Sequence, residues 1–191
     1  MASDIENIYS LKIWSLGKIY TIIYIQEHFA SESSKGENRM YLTVKQQVKH
    51  LSKEDYLTIK ELCHTAKNLA NEAIYNVRQY YFTEGEFLKY EKNYVLLKNS
   101  PNYKALNSNM AQQILKEVDG SFKAFFGLLK LAKQGKYALK DCKLPHYLPQ
   151  DGYTTLVIGF VRLNGNKLIL PFSNSFRKTH KIIEITIPPT R

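Results

Sequence analysis

A run of amide side chains stands at the start of one predicted helix and is the part of the chain best suited to specific hydrogen bonding. It lies within residues 103–126, YKALNSNMAQQILKEVDGSFKAFF. Its polar members are Asn107, Ser108, Asn109, Gln112 and Gln113. Carboxamides can bond bidentately to adenine edges, and the free N–H groups of a helix start suit a phosphate. In a plainer interpretation, Ser108 is only a helix cap and the glutamines are solvated.

Residues for catalysis or metal binding form no recognisable pattern. The five histidines are scattered without metal-ligand spacing. Cys63 and His64 are neighbours, but on a helix their side chains would point about 100° apart. The sequence contains neither a GxxxxGK nor a GxGxxG phosphate loop. We therefore predict no catalytic residue, no metal and no cofactor.

The positive charge of the chain is confined to its later part. The chain has 191 residues and a formal net charge of +10. Residues 1–39 hold four Lys or Arg against five Asp or Glu, and residues 40–191 hold 23 against 12. This excess favours a polyanion such as nucleic acid, although ordinary solubilising lysines would give the same charge. The fourteen tyrosines and nine phenylalanines suit either base stacking or a core.

Composition places the chain among soluble globular proteins. Its hydrophobic content is 44%, and its two cysteines lie far apart without a disulfide framework, which favours a reducing, cytoplasmic setting. The most apolar early run, residues 11–25, is interrupted by Lys12, Gly17 and Lys18. It is shorter than the roughly 18–20 residues of a membrane span and lacks signal-peptide features. We expect no membrane partner.

A long helix is predicted ahead of the amide run. Ser52 precedes two acidic residues, which resembles a capping box, and the helix should reach about Phe82 and stop near Gly85. Its apolar stripe, with spacings of three and four, is Tyr56, Ile59, Cys63, Ala66, Ala70, Ala73 and Val77.

The amide run begins a second long helix, from about residue 108 to 133, after a shorter helix predicted at 87–99. The buried stripe of this second long helix is predicted as Met110, Ile114, Val118, Phe122, Phe125 and Leu129. Around these helices, alternating or β-branched runs predict strands at 19–25, 40–48, 153–163, 167–172 and 181–187. An Asn-Gly hairpin turn is expected at 164–166, and a flexible linker at 31–39. The order of elements predicts an α+β fold.

Three segments of the chain carry a family likeness. They read MYLTVKQQVKHLSKEDYLTIKELCHTAKNLANEAIYNVRQYYF, YVLLKNSPNYKALNSNMAQQILKEVDGSFKAFF and KLPHYLP. Together they resemble the N-terminal half of the OrfB/TnpB transposases of bacterial insertion sequences. The resemblance covers about residues 40–191, and its most specific part is NYKAL, AQQIL and FKAFF in order.

The resemblance implies both an architecture and an activity. TnpB proteins are RNA-guided DNA endonucleases related to the miniature type V CRISPR nucleases. We therefore expect a β-barrel-like wedge domain with a helical recognition domain inserted after its first strand. The expected wedge comprises residues 40–51 and 137–191, and the recognition domain residues 52–136. Residues 1–39 would be an extension outside the family, predicted to be flexible.

The family's nucleic-acid contacts map onto this sequence residue by residue. The resemblance implies contacts to a target-adjacent DNA motif from Ser108, Asn109, Gln112, Gln113, Phe87 and Tyr90, although Phe87 equally fits a core. It implies nucleic-acid backbone contacts from Lys116, Lys123, Lys143, His146 and Tyr147. The family usually has Lys or Arg at the position of His146, which weakens the expected phosphate contact there. The implied partners are a guide RNA from the element end and double-stranded target DNA.

The chain departs from the family beyond these contacts. The acidic residues of the RuvC nuclease and the cysteine pairs of the zinc ribbon do not occur before Arg191. Since a RuvC site needs carboxylates around metal ions, we expect this chain not to be an enzyme by itself, and cleavage would fall to a separate nuclease-containing partner. We expect it in the bacterial cytoplasm, at the nucleoid. The alternative is an isolated α+β domain acting as a non-catalytic DNA-binding repressor or as a protein-interaction module.

Overall fold

The structure, a computed structural model, describes residues 10–15, 19–27, 40–47, 51–159, 162–164 and 167–186. The described helices are α1 (Lys53–Glu84), α2 (Tyr90–Leu97), α3 (Pro101–Ala105) and α4 (Ser108–Lys133). The described strands are β1 (Ser10–Ser15), β2 (Ile19–Glu27), β3 (Met40–Gln47), β4 (Leu156–Ile158), β5 (Arg162–Asn164), β6 (Lys167–Ile169) and β7 (Glu184–Thr186). The predicted linker at 31–39 and the turn residues Gly165 and Asn166 lie outside the described residues.

The strands form two antiparallel sheets beside the helices, so the predicted mixture of helix and strand is confirmed. One sheet has the order β3-β2-β1-β4 and the other the order β5-β6-β7. In the second sheet, Asn164 is opposite Lys167, as expected of the predicted hairpin.

Two strands come from the region expected to be an extension. β2 matches the strand predicted at 19–25, whereas β1 was not predicted from the sequence. β2 pairs with β3, and β1 pairs with β4 through Leu11 opposite Ile158 and Ile13 opposite Leu156. The strands on either side of the helical segment, β3 and β4, are therefore joined through residues 10–27.

Helix α1 begins and ends where its sequence signals predict. The Ser52 hydroxyl accepts a hydrogen bond from the Asp55 N–H at 3.0 Å. At the other end Gly85 has a φ of 70°, and its N–H bonds to the Tyr81 carbonyl. This left-handed conformation favours glycine because a Cβ atom would strain it.

Helix α2 begins later than the sequence predicts. Its first residue is Tyr90 rather than a residue near 87, and the preceding Lys89 supplies no side-chain cap. The Tyr90 N–H instead donates to Asp119 Oδ1 of α4 at 3.1 Å. The cap comes from a residue 29 positions away, so local sequence rules could not locate this helix start.

The start of helix α4 differs in one detail from the interpretation of the amide run. Asn107, not Ser108, is the N-cap, and its Oδ1 accepts a hydrogen bond from the Asn109 N–H at 2.9 Å. Ser108 is the first helical residue and is exposed. The short helix α3 just before it, capped by Ser100, was not predicted.

Most residues of the apolar stripes predicted on α1 and α4 are buried, and the structure brings them together in one core. Ile59, Cys63, Ala66 and Phe122 are fully buried, and residues of β4, β6 and the segment 170–183 join the same cluster. Leu129 is half-buried rather than buried. No described helix combines the length and apolar character needed to cross a bilayer.

The segment after α4 returns along α1 as a strap, which we define as residues 143–154. Its predicted lack of regular helix is confirmed for the proline-containing part, residues 143–149. A turn closed by a hydrogen bond from the Gly152 N–H to the Pro149 carbonyl at 3.0 Å follows this part. Asn71 of α1 binds the strap twice, donating to the Leu148 carbonyl at 3.0 Å and accepting from the Leu148 N–H at 2.8 Å. Lys67 Nζ donates to the Gln150 carbonyl at 2.7 Å, and Arg78 donates to the Pro145 carbonyl at 3.4 Å. Polar side chains of one helix thus fix the strap backbone.

Candidate nucleic-acid interface

The start of α4 opens onto a basic cleft of about 400 Å³. Its cationic lining residues are Lys98, Lys104 and Arg177. Among the described residues that line it, none is acidic. Asn107, Ser108, Ser173 and Asn174 add hydrogen-bonding groups, and Tyr103, Leu106 and Phe172 complete the wall. The cleft therefore combines positive charge with donors.

Three separate segments bring the cations of this cleft together. Lys98 follows α2, Lys104 lies on α3, and Arg177 lies in a 3₁₀ turn at residues 176–178. The turn is docked on α3 because Ser173 donates to the Ala105 carbonyl at 2.8 Å and Ser175 donates to the Lys104 carbonyl at 2.9 Å. These bonds hold the backbone that carries Arg177 beside α3.

The electrostatics of the cleft suit an oxyanion. The unpaired N–H groups at the start of a helix carry a partial positive charge, and α4 has 26 residues. The three cations reinforce this charge, and a guanidinium can bind two phosphate oxygens at once. A phosphate group is therefore the ligand for which this arrangement is best suited.

A row of side chains leads from the cleft along α4. Ser108, Gln112 and Lys116 are spaced one turn apart and so share one side of the helix. Burial raises the pKa of Tyr103, and a hydrogen bond with Gln112 opposes that shift. Lys116 Nζ lies 6.0 Å from the centre of the Tyr90 ring. The structure thus groups four residues that the resemblance assigned to nucleic acid.

Asn109 is directed away from this row. Its Oδ1 accepts a hydrogen bond from the Gly159 N–H at 2.8 Å, which ties α4 to the end of β4. A Cβ atom at Gly159 would lie only 2.6 Å from that oxygen. Because the Asn109 oxygen is already bonded to a backbone N–H, a bidentate contact from Asn109 to adenine would require that bond to break. Gln113 is half-buried.

Two other residues implied by the resemblance have internal partners. The Phe87 ring centre lies 5.2 Å from that of Phe126 and 6.4 Å from that of Phe122, so Phe87 is part of the aromatic packing. Lys123 Nζ lies 2.6 Å from Asp119 Oδ2, and this hydrogen bond raises the pKa of Lys123. Lys123 nonetheless remains exposed.

The strap residues lie apart from the cleft. Lys143, His146 and Tyr147 are all exposed. His146 lines a different, mostly apolar hollow of about 340 Å³ between α1, α4 and the strap. The Tyr147 ring lies 5.0 Å from the Arg78 guanidinium carbon. The structure therefore separates the implied contacts into one set at the start of α4 and another on the strap.

The sequence did not indicate the three cations of the cleft. Lys98 and Lys104 stand on either side of the Ser100-Pro101 turn, which is a weak local signal. Arg177 gives no signal at all, because its position depends on contacts made about 70 residues away in sequence.

Within the described ranges, no group of three or more His, Cys, Asp or Glu side chains could hold a metal ion. Compared with known proteins, the sequence matches no family model, no curated protein and no solved structure.

Proposed function

We propose that this chain binds nucleic acid and that the cleft at the start of α4 holds phosphate groups of the nucleic-acid backbone. The observation that carries the proposal is the convergence of Lys98, Lys104 and Arg177 on the N-terminal end of a long helix. Phosphate contacts of this kind fix the register of a protein on nucleic acid.

The row of Ser108, Gln112 and Lys116 along α4 extends this proposal from contacts with the nucleic-acid backbone to contacts with a base. Gln112 lies one turn from Ser108, which lines the cleft, so a nucleotide whose phosphate occupies the cleft presents its base edge to this carboxamide. Lys116 follows one turn later and supplies charge for the next phosphate. A glutamine in this position favours adenine and is worth roughly 1–3 kcal/mol of discrimination.

The sequence resemblance supports a more specific form of the same proposal. In that form the chain is the nucleic-acid-binding N-terminal portion of a TnpB-like RNA-guided DNA endonuclease. It binds guide RNA and a short target-adjacent DNA motif, and a separate nuclease-containing partner performs cleavage. The barrel-like wedge and the inserted recognition domain belong to this specific form.

Fluorescence anisotropy with labelled duplex DNA tests the proposal. Arg177→Ala and Lys104→Ala should each weaken binding about tenfold at about 50 mM salt and reduce the salt slope by about one. Lys53→Ala removes the same charge from the first residue of α1, which does not line the cleft, and should have little effect. Gln112→Ala should reduce discrimination among motifs more than overall affinity.

Three results would contradict the proposal. Duplex affinity unchanged in the Arg177 and Lys104 variants would remove the cleft from the binding surface. Equal losses in the Lys53 control would show that only net charge matters. A uniform loss on every sequence with Gln112→Ala would make that residue a phosphate contact rather than a base contact.

A protein-interaction module is the second candidate, and one surface favours it. A groove of about 530 Å³ on the outer face of α2 is lined by Tyr80, Leu88, Val95 and Leu96. Val95 and Leu96 are 58% and 61% exposed. If the chain binds neither duplex DNA nor RNA at low salt, this groove becomes the leading functional surface.

A further inference from the structure

The end of α4 carries a second surface that is both basic and aromatic. We call it the lysine–tyrosine surface and define it as Lys130, Lys133, Lys136, Tyr137, Lys140, Lys143 and Tyr147. All five lysines are exposed, and residues 130–147 contain a single carboxylate side chain, Asp141. Tyr137 and Tyr147 are 40% and 41% exposed. Two partly exposed aromatic rings therefore accompany five exposed lysines in this part of the chain.

The fold places the separate parts of this surface along the second half of the helical layer. Helices α1 and α4 run in the same direction, because Ala70 and Ile114 line one hollow and, further along, Tyr81 packs on Phe126 with ring centres 5.0 Å apart. The strap then returns from the end of α4 towards Arg78. Tyr147 therefore lies beside the second half of α1, and Lys143 precedes it on the strap as the chain comes from the end of α4.

Tyr147 is held in a defined position. The Arg78 guanidinium lies 5.0 Å from its ring centre and also donates to the Pro145 carbonyl at 3.4 Å. Arginine thus covers part of the ring and adds charge beside it. The exposed remainder of the ring is available to a flat apolar ligand.

This surface is distinct from the cleft at the start of α4. At about 1.5 Å of rise per residue, the 26 residues of α4 extend over roughly 39 Å. No residue of the lysine–tyrosine surface lines the cleft. The two surfaces therefore contact different parts of a ligand.

The chemistry of the surface indicates which ligand it fits. Exposed aromatic rings among cations are the arrangement that binds single-stranded nucleic acid, since every base has a face that can stack. Membrane-surface helices instead segregate apolar and cationic residues onto opposite faces. Here Tyr137 and Leu139 are exposed and lie beyond the end of α4, between Lys136 and Lys140, so no helical face separates them from the lysines.

We propose that the lysine–tyrosine surface binds unpaired nucleotides, with bases stacked on Tyr137 and Tyr147 and phosphates on the surrounding lysines. The proposal extends the nucleic-acid-binding function proposed above to a second surface. It gives the chain two modes of binding: backbone contacts in the cleft and sequence-tolerant stacking at the other end of α4.

The test uses fluorescence anisotropy with a labelled oligodeoxythymidine of about 15 nucleotides, within the range that single-strand sites cover. Tyr137→Ala and Tyr147→Ala should each weaken binding about tenfold, whereas the Phe variants, which keep the ring, should bind like the original chain. Tyr75→Ala is the matched control, since Tyr75 is 54% exposed on α1 and lies outside the surface. Lys136→Glu and Lys140→Glu, at exposed positions, should also weaken binding because they reverse the charge that attracts phosphate.

The outcomes separate this proposal from that for the cleft. Arg177→Ala should weaken duplex binding and leave oligodeoxythymidine binding unchanged. Retention of oligonucleotide affinity in the tyrosine-to-alanine and lysine-to-glutamate variants would overturn the present proposal, even if duplex binding is confirmed. Tyrosine-dependent binding to vesicles of anionic phospholipid, without binding to the oligonucleotide, would also overturn it and would make the surface a membrane contact.

Discussion

At the scale of single residues, Asp119 joins two helices through one carboxylate. One oxygen accepts the Tyr90 N–H and the other pairs with Lys123. Asp119 is 8% exposed, whereas the Lys123 side chain is largely exposed, so the bond to the Tyr90 N–H is the better shielded of the two. The first of these bonds fixes the start of α2 and with it the ring of Tyr90, which Lys116 approaches. Asp119 thus holds Tyr90 and Lys123, two residues to which the resemblance assigns nucleic-acid contacts.

The two cysteines should differ sharply in reactivity. Burial raises the pKa of the Cys63 thiol to about 12, whereas Cys142 is half-buried. Because the thiolate is the reactive form, a thiol reagent at about pH 8 should modify Cys142 rapidly and Cys63 only after unfolding. Counting modified thiols with and without urea measures this, and Cys142→Ser should abolish the rapid phase.

The same shift makes the contribution of Cys63 to stability depend on pH. In the unfolded chain the thiol ionises near its ordinary pKa of 9.0, while in the folded protein it remains protonated to about 12. The stabilising contribution is therefore complete below pH 9.0 and is lost as the pH rises towards 12. Rapid modification of both thiols in the native protein would contradict the burial of Cys63.

The amide run shows how much of a residue's role can be predicted from residue type alone. The prediction that this run begins a helix is correct, because capping and apolar periodicity depend only on nearby residues. The sequence could not show that Asn109 and Gln112 lie in different surroundings, since the partner of Asn109 is a backbone N–H 50 residues away. The cations of the cleft were missed for the same reason.

At the scale of elements, the long helices were predictable and the short ones were not. α1 and α4 repeat their apolar stripe over 32 and 26 residues, so the pattern outweighs single exceptions. α3 has only five residues, too few for a period to show. β1 was missed because Lys12 and Ser15 interrupt its apolar run, and its pairing with β4 depends on a strand about 145 residues further along the chain.

Substitution by alanine should change the free energy of unfolding in opposite directions at two glycines. At both positions a Cβ atom would meet nothing within 4 Å, so only backbone conformation differs. Gly120 lies inside α4, and Gly120→Ala should raise the free energy of unfolding by about 0.5–1 kcal/mol. Gly85 has a φ of 70°, and Gly85→Ala should lower it by about 1 kcal/mol. Urea denaturation measures both, and changes of the same sign would contradict these backbone assignments.

At the scale of the whole molecule, residues 10–27 connect parts of the chain that are distant in sequence. β2 pairs with β3, and β1 pairs with β4. Removal of β1 and β2 would therefore leave β3 and β4 each without the strand that pairs with it. The buried residues Leu156 and Ile158 lie in β4, the strand that pairs with β1. The resemblance begins at about Met40 and therefore does not include β1 and β2, which pair with the strands on either side of the helical segment.

Deletion of residues 1–39 should destabilise the remainder. The deletion removes the backbone hydrogen bonds that join β2 to β3 and β1 to β4. At about 1 kcal/mol for each bond, we expect the free energy of unfolding to decrease by at least about 2 kcal/mol. Urea denaturation followed by circular dichroism measures the change, and deletion of residues 1–9 alone, which precede β1, is the control. An unchanged midpoint after the longer deletion would show that 40–191 folds as an independent unit.

The proline-containing part of the strap matches the spacing of its contacts on α1. From Asn71 to Arg78 the helix advances seven residues, while the strap carbonyls that they contact, at Leu148 and Pro145, are three residues apart. Rises of about 1.5 Å and about 3.3 Å per residue make both lengths roughly 10 Å. One residue inserted into the strap would shift its register by two helix positions, or about 200° around α1. Insertions and deletions between residues 145 and 148 should therefore disrupt these contacts, even where single substitutions are tolerated.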